Sequence, residues 1–281
     1  MTLNILVTVD SNYVMPLKTM LFSLFISNPH TDFRIILLYS DLRADEISEL
    51  ERYTALFRQK FLPVKAVELP GVPAVSYYTR TMYHRLLAYE ILPQEIDRAL
   101  YLDPDILVIN PVESLYTFDL GNKLWAACSH AGPIVDGINR ARLQMPEEGR
   151  YFNSGVLLMD LRMQRKELTV SDIFDYVNKY QNRLLLPDQD ILNGLYSDRI
   201  LELNELLYNY DVRKRRRYFL ASKGEADDDW ITTHTVVLHF CGKHKPWHKN
   251  YYGHFSFMYK YCMNLAALNS SALTKSPIVF T

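Results

Sequence analysis

Two carboxylates interrupt an apolar stretch in the first half of the chain. Residues 100–109 read Leu-Tyr-Leu-Asp-Pro-Asp-Ile-Leu-Val-Ile, so Asp103 and Asp105 lie between segments typical of a buried strand. An unpaired charge is unfavourable there. A hard divalent cation such as Mg²⁺ or Mn²⁺ takes oxygen ligands, can also hold a diphosphate, and is the best candidate to compensate the pair. The alternative is a strand end followed by an acidic turn, with Pro104 as the turn residue.

Polar side chains also follow the first predicted strand. Asp10, Asn12 and Tyr13 belong to the segment Val-Asp-Ser-Asn-Tyr, whose polar groups could hold a uracil or a ribose. The alternative is that Asp10 caps the next helix. Farther along, the guanidinium of Arg85 could bind a phosphate or a sugar hydroxyl, unless Arg85 is a solvated residue on a helix.

A third polar segment opens a predicted helix. Residues 186–193 read Leu-Pro-Asp-Gln-Asp-Ile-Leu-Asn, and Asp188 is well placed to cap this helix. Gln189 has no such role and could face a substrate. Asp190 could orient a neighbouring cation or stabilise a developing positive charge.

A fourth polar segment follows a late strand, where residues 237–247 read Val-Leu-His-Phe-Cys-Gly-Lys-His-Lys-Pro-Trp. His239 ends the strand, Gly242 allows close approach of the backbone, and Lys245 can neutralise a diphosphate. A lone histidine is usually structural. A histidine beside a glycine, a lysine and a tryptophan at a strand end favours a binding role.

Strand and helix patterns alternate along the first half of the chain. Such alternation predicts an α/β fold with a mostly parallel sheet, in which ligands bind at the carboxyl ends of strands. Asp10 and Asp103 both stand at such ends, which places them in one cleft. The predicted strands are 3–9, 34–39, 64–67, 99–102, 152–161 and 236–240, and the predicted helices are 15–27, a segment around 47–57, 80–92, 170–180 and 188–196.

Length and composition limit the remaining classes. The 281 residues suffice for one large domain, which we predict over 1–247, followed by a small aromatic, helix-like extension over 248–281. A net charge of -1 argues against nucleic acid as a partner. The odd count of three cysteines argues against a disulfide framework and favours a reducing compartment. The first residues lack the pattern of a signal peptide, so we expect a cytoplasmic protein, with its oligomeric state left open.

Taken together, the four segments resemble glycosyltransferase family 8, whose members are retaining enzymes that use nucleotide sugars. The family includes bacterial lipopolysaccharide galactosyl- and glucosyltransferases and, more distantly, glycogenin and galactinol synthase. Asp-x-Asp alone is a weak signal. Its combination with Phe-Asn-Ser-Gly-Val, Asp-Gln-Asp and His-x-x-Gly-x-x-Lys-Pro-Trp is highly specific and spans nearly the whole chain.

The resemblance implies a GT-A fold, with a mostly parallel central sheet flanked by helices, over the catalytic domain 1–247. It further implies that a UDP-sugar is the donor, that Mn²⁺ (or Mg²⁺) is the cofactor, and that an oligosaccharide or glycolipid is the acceptor of galactose or glucose. The resemblance also implies a role for individual residues. The metal would be bound by Asp103, Asp105 and His239, with Pro104 as the variable middle position of the motif, and the uridine would be contacted by Thr8, Asp10 and Tyr13. The diphosphate would be held by Gly242 and Lys245, and the donor sugar would be surrounded by Arg85, Asn153, Asp188 and Gln189.

Retention of configuration admits two mechanisms. Double displacement needs a carboxylate nucleophile near the anomeric carbon. Gln189 is a poor nucleophile, whereas Asp188 and Asp190 are chemically able. We therefore favour attack on the same face, with the departing phosphate oxygen accepting the proton of the acceptor.

Two other classes compete with this interpretation. Haloacid-dehalogenase-type phosphatases also place Asp-x-Asp after an apolar strand, but usually near the N-terminus and with Thr or Val where this chain has Leu107. A non-catalytic protein that binds UDP-sugars would keep the metal site without an acceptor pocket.

A basic run and an aromatic segment raise the question of membrane contact. Residues 213–217 read Arg-Lys-Arg-Arg-Arg, and residues 249–260 are rich in Tyr and Phe. The basic run is typical of a solvated loop. Basic and aromatic side chains together can also dock on anionic lipid, which would place the protein peripherally on the inner face of a membrane.

Overall fold

The computed structural model describes residues 1–66 and 83–272 of the chain. The strands in these two stretches are β1 (Thr2–Thr8), β2 (Asp32–Tyr39), β3 (Lys60–Lys65), β4 (Arg98–Leu102), β5 (Ile106–Val108), β6 (Trp125–Cys128), β7 (Val156–Asp160), β8 (Ile200–Leu203), β9 (Tyr210–Asp211) and β10 (Val237–His239). The helices are α1 (Val14–Ser27), α2 (Ala44–Leu56), α3 (Ala88–Ile91), α4 (Glu113–Tyr116), α5 (Pro133–Leu143), α6 (Leu161–Glu167), α7 (Val170–Tyr180), α8 (Pro187–Tyr196), α9 (Glu205–Tyr208), α10 (Arg215–Ala221), α11 (Asp228–His234) and α12 (Ser256–Ala272).

Among the described residues, the strands form a seven-stranded sheet in the order β3-β2-β1-β4-β7-β6-β8 and a three-stranded sheet in the order β5-β10-β9. Strands β3, β2, β1 and β4 run parallel, and β7 runs antiparallel to both of its neighbours. The predicted α/β class with a mostly parallel sheet is therefore confirmed.

The strands at the centre of the large sheet are buried on both faces, as expected where helices cover a parallel sheet. Alternate residues of β1 divide between two cores, with Ile5 and Val7 on one side and Leu6 on the other. Helix α1 packs on the first face, and α7 and α8 pack on the second. This arrangement leaves the carboxyl ends of β1 and β4 at one edge of the sheet.

The small sheet has a core of its own, built from aromatic and aliphatic side chains of β5, β9, β10 and α12. Tyr259 of α12 is fully buried, and its ring centroid lies 5.1 Å from that of Phe240 and 5.8 Å from that of Trp247. Farther along α12, Ser270 accepts a hydrogen bond from Lys18 of α1, at 3.2 Å. The last helix thus packs on the body of the molecule, and the boundary predicted at residue 247 stays a prediction.

Several element boundaries differ from the predictions. The strand predicted over 152–161 begins at Val156, because the polar residues before it turn toward the site described below. Within the helix predicted over 80–92, residues 80–82 lie outside the described part, residues 83–87 form turns, and α3 covers Ala88–Ile91. The C-terminal helix begins at Ser256 rather than near His248.

Candidate active site

The paired carboxylates lie where the large sheet passes into the small one. Strand β4 ends at Leu102, Pro104 stands in the turn as predicted, and β5 begins at Ile106. Strand β10 pairs antiparallel with β5, so His239 stands opposite Ile106. Its Nε2 lies 3.3 Å from Oδ1 of Asp105 and 3.9 Å from Oδ2 of Asp103. The three predicted metal ligands therefore come together, with their ligand atoms within 4.8 Å of one another.

The three side chains and the glycine behind them fit a divalent cation. Two carboxylates and one imidazole form a mixed oxygen and nitrogen set, which suits Mn²⁺ better than Mg²⁺. Gly155 lies directly behind the cluster, and its carbonyl accepts a hydrogen bond from the backbone amide of Asp103 at 2.8 Å. A Cβ at this position would lie 2.3 Å from Cε1 of His239 and 2.7 Å from Oδ2 of Asp103. The absence of a side chain at Gly155 thus makes room for the cluster.

Two cations balance the charge of the carboxylates. Lys245 forms an ion pair with Asp105, and Nη1 of Arg85 lies 3.0 Å from Oδ1 of Asp103. Burial alone would raise the pKa of Asp105, but His239 and Lys245 outweigh it and hold this pKa well below its usual range. Asp105 therefore stays ionised, as a metal ligand must be.

A buried tyrosine that the sequence analysis missed orients the other carboxylate. Tyr101 donates a hydrogen bond to Oδ1 of Asp103 at 2.6 Å, and its hydroxyl lies 3.1 Å from the hydroxyl of Thr8. The guanidinium carbon of Arg85 lies 4.4 Å from the centre of the Tyr101 ring. Strand alternation could have revealed Tyr101, because residues two apart point to the same face.

The predicted sugar-side residues form a hydrogen-bonded group next to the carboxylates. Oε1 of Gln189 accepts from Nδ2 of Asn153 at 3.0 Å and from the backbone amide of Ser154 at 3.2 Å. Asp188 lies 3.1 Å from the hydroxyl of Ser154 and 3.1 Å from Nε of Arg85. Arg85, whose side chain is 12% exposed, therefore bridges Asp103 and Asp188, and the alternative of a solvated helical arginine is wrong.

Asp188 and Asp190 have different partners, and only the capping role predicted for Asp188 differs from the structure. Asp188 does not cap the helix as predicted, because α8 begins without a side-chain cap hydrogen bond. Oδ2 of Asp190 accepts from the backbone amides of Leu185 and Leu186, just before the first residue of α8, at 2.6 and 3.0 Å. Arg142 contacts both oxygens of Asp190 at 2.7 Å, and Tyr151 donates to it at 2.6 Å. Asp190 thus orients the guanidinium of Arg142, which was one of its two expected roles. Its catalytic role stays a prediction, and these hydrogen bonds disfavour it.

An open pocket of about 610 Å³ lies beside the carboxylates, and Asn12, Tyr13, Leu186, Gly242, Lys245 and Trp247 contribute to its lining. The rings of Tyr13 and Trp247 meet edge to face, with their centroids 5.6 Å apart. Gly242 adopts a φ of +99°, and a Cβ there would lie 2.8 Å from Nη1 of Arg213. Glycine is therefore needed where the chain turns back toward the pocket.

Of the residues around the end of β1, some make structural contacts and others line the pocket. Asp10 accepts a hydrogen bond from the backbone amide of Asn12 at 2.8 Å and begins the short 3-10 turn before α1, so the capping alternative for Asp10 is confirmed. Thr8 is buried and turned toward Tyr101. Asn12 and Tyr13 remain to line the pocket directly.

A second group of possible ligands adjoins the first. His130, Asp211 and Cys241 also bring their ligand atoms within 4.8 Å of one another. Arg213, however, donates to both oxygens of Asp211 at 2.9 and 2.7 Å. Burial lowers the pKa of His130 to about 3, so this ring is neutral. The group is thus an ion pair beside a neutral histidine.

The basic run and the C-terminal aromatic segment are only partly available to a partner. Arg213 and Arg215 pair with Asp211 and Asp228, whereas Arg216 and Arg217 are exposed. Within the C-terminal segment, Phe255 and Tyr259 are buried, and Tyr252 and Phe257 are exposed. In the part of the chain that the structure describes, no helix combines the length and the apolar character needed to cross a membrane.

Comparisons with known proteins agree with this geometry. The family model for Glycosyl transferase family 8 matches residues 4–251, so the chain belongs to glycosyltransferase family 8 and is a glycosyltransferase. Lipopolysaccharide 1,2-glucosyltransferase of Escherichia coli K12 is 31% identical over 259 residues, which cover 88% of this chain and 73% of the relative. General stress protein A of Bacillus subtilis is 26% identical over 251 residues, which cover 86% of each chain.

Solved structures show the same fold. The galactosyltransferase LgtC, in complex with donor and acceptor sugar analogs, superposes with a TM-score of 0.76 at 22% identity and covers 98% of both chains. An active-site mutant of LgtC superposes with a TM-score of 0.78 at 24% identity, covering 94% of this chain and 96% of the other. The GT-A fold implied by the sequence motifs is therefore confirmed, and family membership argues against the phosphatase alternative.

Proposed function

We propose that this chain is a retaining hexosyltransferase that moves galactose or glucose from a UDP-sugar to a carbohydrate or glycolipid acceptor in a Mn²⁺-dependent reaction. The observation that carries the proposal is the convergence of Asp103, Asp105 and His239 beside a pocket that Lys245 also lines. The names of the relatives support the acceptor class, because the Escherichia coli relative is a lipopolysaccharide 1,2-glucosyltransferase.

The metal would be held by Asp103, Asp105 and His239, with Mg²⁺ as the second choice. When bound, it would supply positive charge that stabilises the diphosphate leaving group. Lys245 would add a second positive charge next to the metal, because it pairs with Asp105 and also lines the pocket. Gly242 would let the diphosphate approach the backbone closely.

The nucleotide would occupy the part of the pocket lined by Asn12, Tyr13 and Trp247. Tyr13 would contact the uracil with its ring, which Trp247 already supports at its edge. Asp10 would act by fixing the 3-10 turn that presents Asn12 and Tyr13. Thr8 would act through Tyr101, whose hydroxyl it contacts.

The donor sugar would lie against Arg85, Asn153, Asp188 and Gln189. Both carboxylates of this segment have strong partners, since Asp188 pairs with Arg85 and Asp190 pairs with Arg142. A nucleophilic role would require one of these ion pairs to break. We therefore favour attack on the same face, in which the departing phosphate oxygen accepts the proton of the acceptor hydroxyl and Gln189 lies near the anomeric carbon.

Peripheral contact with an anionic membrane is a further part of the proposal, together with the cytoplasmic location. Its support is the exposed pair Arg216 and Arg217, next to Phe219 and Leu220, which are 39% and 66% exposed. Arginine beside exposed apolar side chains is the combination that binds anionic lipid surfaces. Such contact would bring the protein to the surface at which a glycolipid acceptor lies.

The decisive experiment is to measure UDP release from UDP-glucose and UDP-galactose, with and without Mn²⁺ and without an acceptor. We expect slow hydrolysis of one donor that requires Mn²⁺ and falls at least ~100-fold in Asp105→Asn. Asp119→Asn, which changes an exposed loop carboxylate, is the matched control and should leave the rate unchanged.

Other outcomes separate the alternatives. Donor binding without turnover, even with added glycolipid acceptors, would indicate a non-catalytic binding protein. An active Asp103→Ala/Asp105→Ala double variant would exclude the metal site. Release of inorganic phosphate from simple phosphomonoesters would restore the phosphatase alternative.

A further inference from the structure

Asn209 lies between the candidate metal ligands and the candidate sugar site. It is fully buried, in the short connection between α9 and β9. Its Oδ1 lies 2.8 Å from Nδ1 of His239, and its Nδ2 lies 2.9 Å from Oδ1 of Asn153. One amide group therefore contacts a metal ligand on one side and a sugar-site residue on the other.

Two backbone amides determine the direction of every hydrogen bond in this chain of groups. The N–H of Gly155 can only donate, and it lies 3.0 Å from Oδ1 of Asn153. That atom of Asn153 is therefore an acceptor, so the atom of Asn209 that faces it must be the amide nitrogen. The other end of Asn209 is then a carbonyl oxygen, which requires Nδ1 of His239 to carry a proton.

The hydrogen bonds of Gln189 lead independently to the same orientation of the Asn153 amide. The backbone N–H of Ser154 donates to Oε1 of Gln189 at 3.2 Å, so this atom is an acceptor. Asn153 faces the same atom at 3.0 Å and must present its amide nitrogen there. Asn153 consequently offers its oxygen to Asn209, as the Gly155 contact also requires. The two derivations agree without any assumption about amide orientation.

The consequence for His239 is specific. With Nδ1 protonated and bound to Asn209, its Nε2 is left to serve as the ligand atom, and Nε2 is the atom that faces Asp103 and Asp105. Hydrogen bonds of this kind fix the orientation of a metal-ligating histidine and raise its basicity. His130 in turn fixes the backbone of Asn209, because its Nε2 lies 2.6 Å from the carbonyl oxygen of Asn209.

We propose that Asn209 is a positioning residue that holds His239 in its metal-binding tautomer and couples the metal centre to Gln189 through Asn153. This inference rests on the proposed function, because it assumes that His239 is a metal ligand. Asn209 would act through the two side chains that it connects, His239 and Asn153. The amide is suited to this position because it accepts at one end and donates at the other.

Two variants of Asn209 separate the two contacts. Asn209→Ala removes both hydrogen bonds. Asn209→Asp keeps an acceptor for His239 but presents a second acceptor to Asn153. We therefore expect Asn209→Ala to bind Mn²⁺ roughly 10- to 100-fold more weakly than the unaltered protein. We expect Asn209→Asp to keep its Mn²⁺ affinity within about threefold but to have a lower turnover number at saturating Mn²⁺ and donor.

Mn²⁺ affinity is measured on the substrate-free protein by the electron paramagnetic resonance signal of free Mn²⁺, so this measurement does not depend on activity. The control is Asn28→Ala, which removes another buried amide, one that contacts the backbone of Leu24 and Val112 instead. Thermal melting shows whether each variant is folded, and Asn28→Ala should keep the Mn²⁺ affinity of the unaltered protein.

The outcomes distinguish this inference from the proposed function. If folded Asn209→Ala binds Mn²⁺ as tightly as the unaltered protein, the positioning role is overturned while the metal site stands. If Asn209→Asp keeps full turnover, the coupling to Asn153 is overturned. If the unaltered protein binds no Mn²⁺, the metal assignment of the proposed function fails, and the role of Asn209 fails with it.

Discussion

Nε2 of His239 lies 3.3 Å from Oδ1 of Asp105 because the strands that carry these residues pair in the small sheet. The antiparallel register of β5 and β10 places His239 opposite Ile106, immediately after Asp105. The candidate metal site is therefore held by a backbone ladder rather than by a flexible loop. Changes to its side chains should affect binding and turnover more than folding.

Replacement of Gly155 tests whether the space behind the cluster is needed. Gly155→Ala would place a Cβ 2.3 Å from Cε1 of His239, so the ring or the backbone must move. We expect Mn²⁺ affinity and donor hydrolysis to fall at least ~100-fold, as measured by Mn²⁺ titration and UDP release. Gly137→Ala is the control, because its nearest neighbour is a flexible arginine atom at 3.9 Å. Full activity of Gly155→Ala would contradict the packing described here.

Replacement of Arg85 tests the bridge between the metal and sugar sides. Arg85→Lys keeps the charge, but a single ammonium cannot reproduce the contacts that Nη1 and Nε make with Asp103 and Asp188. We expect kcat to fall about 100-fold, because small misplacements of reacting groups have effects of this size. Steady-state kinetics measures the effect, with Arg43→Lys at an exposed position as the control. A kcat unchanged in Arg85→Lys would show that charge alone suffices.

Asp190 should matter for stability more than for chemistry. Asp190→Ala removes a fully buried carboxylate and leaves Arg142, whose side chain is 18% exposed, without this partner, so we expect the free energy of unfolding to fall by about 3 kcal/mol, the lower end for a broken buried pair. Urea denaturation measures this loss. The Asp190→Ala/Arg142→Met double variant should recover part of it, because it removes the unpaired charge. A glycosyl adduct trapped on Asp190 would instead establish double displacement and refute the structural role.

Stability should depend on pH through His84. Burial lowers the pKa of this residue from 6.5 to about 4, so the unfolded chain takes up a proton below pH 6.5 while the folded chain does not. The contribution of neutral His84 is therefore complete above pH 6.5 and is lost as the pH falls toward 4. We expect the free energy of unfolding to drop by about 2 kcal/mol between pH 7 and 5 from this residue.

Urea denaturation of His84→Gln at pH 7 and pH 5 measures the contribution of His84 to the free energy of unfolding. The variant should lose about 2 kcal/mol less than the unaltered protein over this range. His130, whose pKa burial lowers to about 3, adds a slope of the same sign. Equal pH dependence in His84→Gln and the unaltered protein would mean that this residue is not buried in neutral form.

Membrane contact is tested with vesicles. At low salt, the protein should bind vesicles that contain phosphatidylglycerol, and Arg216→Glu/Arg217→Glu should weaken this binding by roughly 10-fold or more, because each basic residue contributes about 1 kcal/mol near an anionic surface. Arg52→Glu/Lys60→Glu makes the same charge change at other exposed positions and is the matched control. Equal loss in both pairs would indicate a general charge effect, and an absence of binding would exclude this partner.

The amino-acid sequence determined the fold class and the identity of most site residues. Alternating apolar patterns predicted the parallel strands, because a strand covered on both faces must be apolar along its length. The carboxylates Asp103 and Asp105 were recognisable because charge inside such a run needs compensation. The short strands β6, β8 and β9 were missed, since two to four residues carry too little periodicity to be detected.

The partners of those residues were decided by the tertiary structure. Nothing in the local sequence indicates that Asn209 contacts His239 and Asn153, or that Arg142 rather than a helix end compensates Asp190. Asp188 and Asp190 are two residues apart and equally acidic, yet one faces Arg85 and the other Arg142. Sequence spacing sets which side chains are available, whereas the pairing of distant strands and helices sets which charges and hydrogen-bonding groups meet.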